Sequence, residues 1–449
     1  MEQSIKRIVI ILNHADRERR NINKLKKAIN HNNPSIEVHI LPYRDKSFVF
    51  KVLEISPQVI MTFPFTAATT SRAFYLLKYL LNCVLVSFRA EGIMNLESEI
   101  QRKAFTGFEK YGVNLVDYEI FWGPGMARTI GNMLLEQSKI SSLDRINWFG
   151  SPIVEDYVKP SYEGSCSLPD HISKKISQYS KERIVLIATG FLFAEYTDKN
   201  ILVAGDIVDR SSVTFQQDFE EAQNAVQLCR RFREMWIDVI IRNALKYSNL
   251  LFVVKTHPQE IVVYRNKNVA PYEIFNKYNN ILLINETIPF RSLINESSLL
   301  FHYGSTTSIE AYLSQVPSVF VDSKQLDLKG NKLLFTADIG IPSTISADIS
   351  EVSSIISKHH EYPIPFELND ETERKLNEFF GYKRGGEYDP SNRIAKFLIS
   401  LFNEKGQLIP YDDIYLARAI HTDWPGKKLI NDLMTKGFSI IERIANNNI

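Results

Sequence analysis

Cysteine is scarce in this chain. Cys83, Cys166 and Cys229 are the three among 449 residues, too few and too scattered for a disulfide framework, and no two of them have the spacing of metal ligands. That usage implies a reducing compartment. No run approaches the ~20 apolar residues of a membrane span, and the first apolar stretch, Ile8 to Leu12, is too short for a signal h-region and has no small-residue cleavage site behind it. The expectation is a cytoplasmic protein. Signature motifs are missing as well: there is no P-loop, no Gly-x-Gly-x-x-Gly fingerprint, no nucleophile elbow and no His-Glu-x-x-His, which argues against kinases, NAD enzymes, α/β-hydrolases and zinc proteases. No Asp-x-Asp clamp occurs either, so no metal or other cofactor is expected.

An excess of charge is also lacking. The chain has 53 Lys and Arg against 52 Asp and Glu, a net charge of +1, which removes any global case for nucleic-acid binding. The distribution is uneven: residues 1–150 hold 20 basic against 14 acidic side chains. The first third is therefore the part suited to an anionic surface or substrate, unless the basic face around Arg17, Arg19, Arg20, Lys24, Lys26 and Lys27 is simply solvated.

What is present reads as a folded globular protein. Apolar residues make up 44% and charged residues 23%, ordinary values for that class, and the length suits two large domains with an extension, or three smaller ones. Short β-branched runs alternate with helix-length segments, the pattern of parallel α/β architecture. Strands are predicted at Arg7 to Leu12, Val38 to Leu41, Val59 to Phe63, Val84 to Phe88, Ile120 to Trp122 and Ile146 to Phe149. A stretch rich in Pro, Ser, Gly and charge follows. A second series is predicted at Ile184 to Ala188, Leu250 to Val254, Ile281 to Ile284, Leu299 to His302 and Ser318 to Asp322, with a long helix over about Phe215 to Tyr247. Beyond about residue 365 only helical patterns are predicted, at about Asp370 to Phe380, Pro390 to Phe402 and Lys427 to Ala445. The last carries an apolar stripe flanked by lysines, which fits packing against the domains better than a membrane surface. The expected layout is one α/β domain over 1–155, a linker over 156–181, a second α/β domain over 182–365, and C-terminal helices over 366–449 packing across both.

Three segments could carry chemistry. The buried run ending at His302-Tyr303 passes through Gly304 into Ser305, Thr306 and Thr307 and then an apolar helical pattern with Glu310. Free backbone N–H groups and short hydroxyls at such a point suit a phosphate, although hydroxyl residues are also ordinary N-caps. Leu250 to Val254 runs into Lys255-Thr256-His257-Pro258, so a histidine sits at another strand end with Pro258 restraining the backbone before it. An imidazole fixed there can stabilise charge on a leaving group. In the first series, Val84 to Phe88 is followed by Arg89-Ala90-Glu91-Gly92, where a carboxylate before a turn suits a general base. The loop Asn13-His14-Ala15-Asp16-Arg17-Glu18 after the first strand either lines an acceptor site or caps a helix.

Taken together, Val253 to Pro258 and Tyr303 to Ala311, with Val316-Pro317-Ser318-Val319, resemble the His-Pro and Ser/Thr motifs of bacterial capsule and lipopolysaccharide glycosyltransferases of the GT-B fold, in particular those using CMP-activated acidic sugars. The resemblance implies an α/β fold of two Rossmann-like domains facing a cleft, with C-terminal helices. It implies inverting, metal-independent transfer of Kdo, sialic acid or a related nonulosonate to a surface-polysaccharide or lipid-linked acceptor, with at most weak association with the inner membrane or partner enzymes. Glu91 would be the base, matching an acid-acid-Gly motif whose first position is here Ala90. His257 would act at the donor phosphate. Lys255, Pro258, Gly304, Ser305, Thr306, Thr307, Glu310, Thr189, Gly190 and Ile284 would bind the donor, and His14, Asp16, Arg17 and Arg89 the acceptor. CDP-glycerol transferases of teichoic acid synthesis have related segments, and a UDP-sugar 2-epimerase would share the fold.

Overall fold

The computed structural model describes residues 5–12, 15–43, 45, 47–63, 68–89, 115–158, 168–203, 215–303, 307–328 and 345–406; the side chains of 15–18, 68–71, 202–203 and 215 are outside that set. The chain divides into two compact units, one formed by 1–155 with 376 onward, the other by 156–375.

The first unit is built on a parallel sheet of six strands: β1 (Arg7–Leu12), β2 (Glu37–Pro42), β3 (Val59–Thr62), β4 (Val84–Phe88), β5 (Tyr118–Phe121) and β6 (Ile146–Trp148). Their spatial order is β2-β1-β3-β4-β5-β6. Both faces of β1 are covered, which is why its sequence is continuously apolar rather than alternating. Ile8 and Ile10 pack under α1 (Ala15–Asn32), whereas Val9 and Ile11 meet α2 (Phe48–Ile55) and α3 (Ala68–Leu81). Farther along come α4 (Pro124–Glu136), α5 (Pro152–Val158) and α6 (Asp170–Ile176).

The second unit repeats the plan with β7 (Ile184–Ala188), β8 (Leu251–Lys255), β9 (Ile281–Ile284), β10 (Leu299–His302), β11 (Ser318–Asp322) and β12 (Ile345–Asp348). All neighbours are parallel, in the order β12-β11-β10-β7-β8-β9. Between β7 and β8 run α7 (Asp198–Val203) and the long α8 (Phe215–Lys246); α9 (Pro258–Lys267) follows β8, α10 (Phe290–Asn295) follows β9 and α11 (Thr307–Leu313) follows β10. After β12 come α12 (Val352–Glu361), α13 (Asp370–Phe380) and α14 (Pro390–Ser400). Phe232, Trp236 and Ile240 of α8 and Val352 and Ile356 of α12 cover one face of the sheet.

The ends of the units differ from the expected layout. Residues 156–181, read as a linker from their composition, include α6, whose Ile172 and Ile176 are buried against Leu186, Leu251 and Leu300 of the second sheet. The C-terminal helices divide between the units. Ile394, Ala395 and Leu398 of α14 join α1 on the first sheet, so the chain returns to complete the unit it began. Gly123 permits the approach of the returning segment: a Cβ there would lie 2.3 Å from the carbonyl carbon of Phe379. The pattern over Lys427 to Ala445 lies outside the described residues.

Candidate functional site

In the second sheet β7 is the first strand in sequence, with β8 on one side and β10 on the other. The chain winds outward through β8 and β9, then crosses back to start again at β10. Loops leaving β7 and β10 therefore diverge, and the crevice at their carboxyl ends is where open α/β sheets take ligands. Two of the three expected segments, those around His257 and Tyr303, lie at this edge, together with Thr189 and Gly190.

His257 is the N-cap of α9, with Pro258 in the first turn. Pro258 suits that position because its missing N–H has no helical partner there and its φ is already helical. The His257 Nδ1 accepts from the Gln259 N–H at 3.2 Å, which assigns the imidazole proton to Nε2. His257 is half-buried. By contrast His302, at the end of β10, is fully buried, and burial pushes its pKa down to about 3. Of these two histidines, His257 is the one suited to meet a ligand.

Beneath His257 lies a residue that the sequence reading missed. Glu260 is completely buried, and its carboxylate collects donors from the loops after β7 and β8 and from two tyrosines. Oε2 accepts from the His257 N–H at 3.2 Å and from the Thr189 hydroxyl. Oε1 accepts from the Phe191 N–H at 2.9 Å, the Tyr264 hydroxyl at 2.9 Å and the Tyr272 hydroxyl at 3.1 Å. Burial pushes the Glu260 carboxyl up, and the bonds from Thr189, Tyr264, His257 and Phe191 oppose that rise. Thr189 completes the link by accepting from the His257 N–H at 3.0 Å. The signal was legible: an acid three residues after an N-cap is a capping box, and both halves of that box are formed here.

The other expected donor residues divide into frame and edge. Lys255 was expected to bind the donor; instead it is buried and donates to the Thr256 carbonyl at 2.7 Å, so it shapes the loop from below. Burial lowers its pKa to about 8, against the opposing pull of Glu260 and Glu286. Ile284 is buried, and its carbonyl accepts from the Thr256 N–H at 3.1 Å. Gly190 lets the β7 loop pass close to the β10 loop, since a Cβ there would lie 3.3 Å from the Tyr303 carbonyl oxygen. The rings of Phe191 and Tyr303 stack with centroids 6.1 Å apart. Thr307 opens α11 and Glu310 lies in its first turn, half-buried. Gly304, Ser305 and Thr306 lie outside the described residues.

In the first unit the candidates are less gathered. Glu91 and His14 lie outside the described residues, and Asp16 and Arg17 are placed by backbone only, in the first turn of α1. Arg89 was expected to bind an acceptor. It is instead buried, its guanidinium paired with Glu119 at 3.0 Å and set over the Phe121 ring, which ties β4 to β5. A second buried ion pair joins Lys78 and Asp117 at 2.6 Å. Among the described residues no cluster of His, Cys, Asp and Glu could hold a metal ion, and no helix is long and apolar enough to cross a membrane.

No family model matches the chain, and neither does any curated protein. Solved structures do. A UDP-GlcNAc 2-epimerase from Methanocaldococcus jannaschii, in complex with UDP-GlcNAc and UDP, superposes with a TM-score of 0.51 at 14% identity, over 88% of this chain and 99% of that one. A histidine-to-alanine variant of the wall teichoic acid polymerase TagF gives a TM-score of 0.50 at 9% identity, over 89% of this chain and 90% of that one. The fold is thus the GT-B kind, an α/β fold of two Rossmann-like units.

Proposed function

We propose that this chain is a transferase of surface-carbohydrate synthesis, with a nucleotide-linked donor seated at the carboxyl ends of β7, β8 and β10. The observation that carries this reading is the Glu260 cluster, which locks the β7 loop to His257 at the sheet's switch point. His257, with its proton on Nε2, donates to a donor phosphate oxygen and stabilises the negative charge that develops as the nucleotide departs. Ser305 and Thr306 are proposed on the same phosphate, as their motif suggests, and Glu91 as the base that takes the proton of the attacking acceptor hydroxyl.

A cytidine diphosphate-linked donor has more support than a CMP-linked acidic sugar. The sequence motifs fit either, but the fold likeness includes a wall teichoic acid polymerase. Transfer is preferred to epimerisation because the described acids around β5, Asp117 and Glu119, are tied up in buried ion pairs. Wherever the donor comes from, no Asp-x-Asp is present to clamp a metal, and turnover is expected to survive EDTA. Activity abolished by EDTA and restored by Mg²⁺ would contradict that mechanism.

A thermal-shift screen of CDP, CMP and UDP tests the proposal. A ligand at ~100 times its Kd stabilises the native state by ~2.7 kcal/mol. CDP is expected to raise the unfolding temperature by several degrees and CMP by less. A response to UDP alone would favour the epimerase reading, and no response to any of the three would remove the nucleotide site.

A further inference from the structure

The β7 loop is held from behind as well as from the site. Two arginines of α8, one turn apart, reach it: Arg230 donates to the Ala194 carbonyl at 3.1 Å and 3.0 Å, and Arg233 pairs with the Glu195 carboxylate at 2.7 Å. From the last turn of α9, Lys267 donates to the Glu195 carbonyl. Arg230 ties helix to loop backbone and its role ends there. Arg233 does more. It is buried at 6% exposure, and the Nη1 that meets Glu195 also donates to the Tyr264 hydroxyl at 3.4 Å.

That second bond joins Arg233 to the Glu260 cluster. Tyr264 accepts from the guanidinium and passes its own O–H to Glu260 Oε1 at 2.9 Å, so a single hydroxyl separates the cation from the carboxylate. A hydroxyl that accepts from a charged donor is itself the stronger donor, and a buried carboxylate among neutral donors still needs a countercharge. The titratable and charged groups around Glu260 come from each element packed on it: Arg233 and Cys229 of α8, Tyr264 of α9 with His257 at its cap, Tyr272 after it, Lys255 of β8 and Glu195 of the β7 loop. Burial pushes the Cys229 thiol up to about 12 and raises both tyrosines, so all three stay neutral. Lys255 attracts Glu260 through space but gives its bond to the Thr256 carbonyl. Of these two cations, Arg233 is the one bonded to the cluster. Burial works against its charge, and the bonds to Tyr264 and Glu195 outweigh that, so its pKa lies above the usual arginine value.

We propose that Arg233 is a positioning residue of the nucleotide site: through Tyr264 it supplies the countercharge of Glu260, and so fixes Thr189, Phe191 and His257 around the donor proposed above, a reading on which this inference rests. The role needs no contact with the ligand. It runs from α8 to the Tyr264 hydroxyl, on to Glu260, and from there to the His257 N–H. Arginine suits it because one nitrogen of the planar guanidinium carries two N–H groups, one for Glu195 and one for Tyr264.

The test is a double-mutant cycle on the full chain, read by the urea midpoint of the second unit between about pH 5 and pH 8. Arg233→Met removes the charge. Its cost is expected to be largest near neutral pH, where Glu260 is ionised, and to shrink as the pH falls and the carboxyl takes up a proton. A Glu260→Gln background is expected to abolish that pH dependence, and a Glu195→Gln background to keep it. The reverse pattern would make Arg233 a structural ion pair with Glu195 and overturn the proposal. Calorimetry with CDP on the same samples is expected to show affinity about tenfold lower in Arg233→Met, with part of the loss recovered in Arg233→Lys, which keeps the charge. Equal CDP affinity in wild type and Arg233→Met also overturns the proposal. If methionine does not fold, Tyr264→Phe, which cuts the relay and leaves Arg233 on Glu195, takes its place, and unchanged CDP affinity there is the overturning result. Coupling of Arg233 to Glu260 in a wild-type chain that binds no CDP would refute the nucleotide reading alone.

Discussion

His257→Ala is expected to lower donor turnover by ~10² to 10³-fold, the usual loss when one preorganised donor to developing negative charge is removed. The case rests on the tautomer. Because Nδ1 accepts from the Gln259 N–H, the imidazole presents Nε2–H as a donor. The same side chain caps α9, so its removal also has a structural cost, but losing an N-cap costs only ~1 kcal/mol, and most of the fold's stability should survive. His257→Asn separates the two roles: asparagine is a good cap and restores stability, while its shorter amide does not reach the same phosphate oxygen. Turnover in His257→Asn is therefore expected to stay low. A folded His257→Ala enzyme with near-normal turnover would leave this residue as a cap and nothing more.

Glu260→Ala is the change expected to damage the second unit most. The carboxylate takes five donors, from Thr189, Phe191, His257, Tyr264 and Tyr272, and alanine offers none. His257 N–H keeps its bond to Thr189. The Phe191 N–H and the Thr189, Tyr264 and Tyr272 hydroxyls lose theirs, at roughly 1–3 kcal/mol for each buried group left unmet. A loss of about 3–5 kcal/mol is expected, as for other broken buried networks. The measurement is the urea midpoint of the transition that reports the second unit. Glu260→Gln keeps the volume but turns an amide N–H₂ toward inward-pointing donors, and it should fall between wild type and alanine. In Glu260→Gln the nucleotide affinity should drop along with stability, because the β7 loop and His257 are set by the same carboxylate. An alanine variant as stable as wild type would show that water or a neighbour replaces the carboxylate without cost.

Most of this fold was legible in the sequence because parallel strands buried on both faces are continuous apolar runs. Arg7–Leu12, Val84–Phe88, Ile184–Ala188, Ile281–Ile284, Leu299–His302 and Ser318–Asp322 have the bounds their β-branched content implies. The strand that escaped is β12, Ile345–Asp348, at the sheet edge. Its sequence, Ile-Ser-Ala-Asp, is half polar because an edge strand need bury only part of itself. Domain assignment was less legible for a related reason: local composition marks a loop, but it does not say which sheet a later helix will cover. The apolar faces of α6 and α14 are ordinary, and only packing decides their partners.

The site was legible where chemistry and backbone geometry coincide. His257-Pro258 stands out because proline fixes the turn and histidine follows a buried strand. Arg89 and Lys255 misled for the opposite reason. A cation at a strand end reads as a ligand for anions, yet both are buried, Arg89 on Glu119 and Lys255 on the Thr256 carbonyl. Their partners are distant in sequence or in the backbone itself, and neither leaves a pattern. Glu260 was hidden by its own neighbourhood, a helical segment in which an acid looks solvated until the capping box is noticed.

The central claim is that a nucleotide's phosphate sits at the carboxyl ends of β7, β8 and β10, and crystals of the full chain soaked with CDP test it most directly. The expected result is a phosphate oxygen within hydrogen-bond distance of His257 Nε2, beside the Thr189-Gly190 loop, with the Glu260 cluster unchanged beneath it. CDP bound elsewhere on the chain, with His257 untouched, would contradict the account.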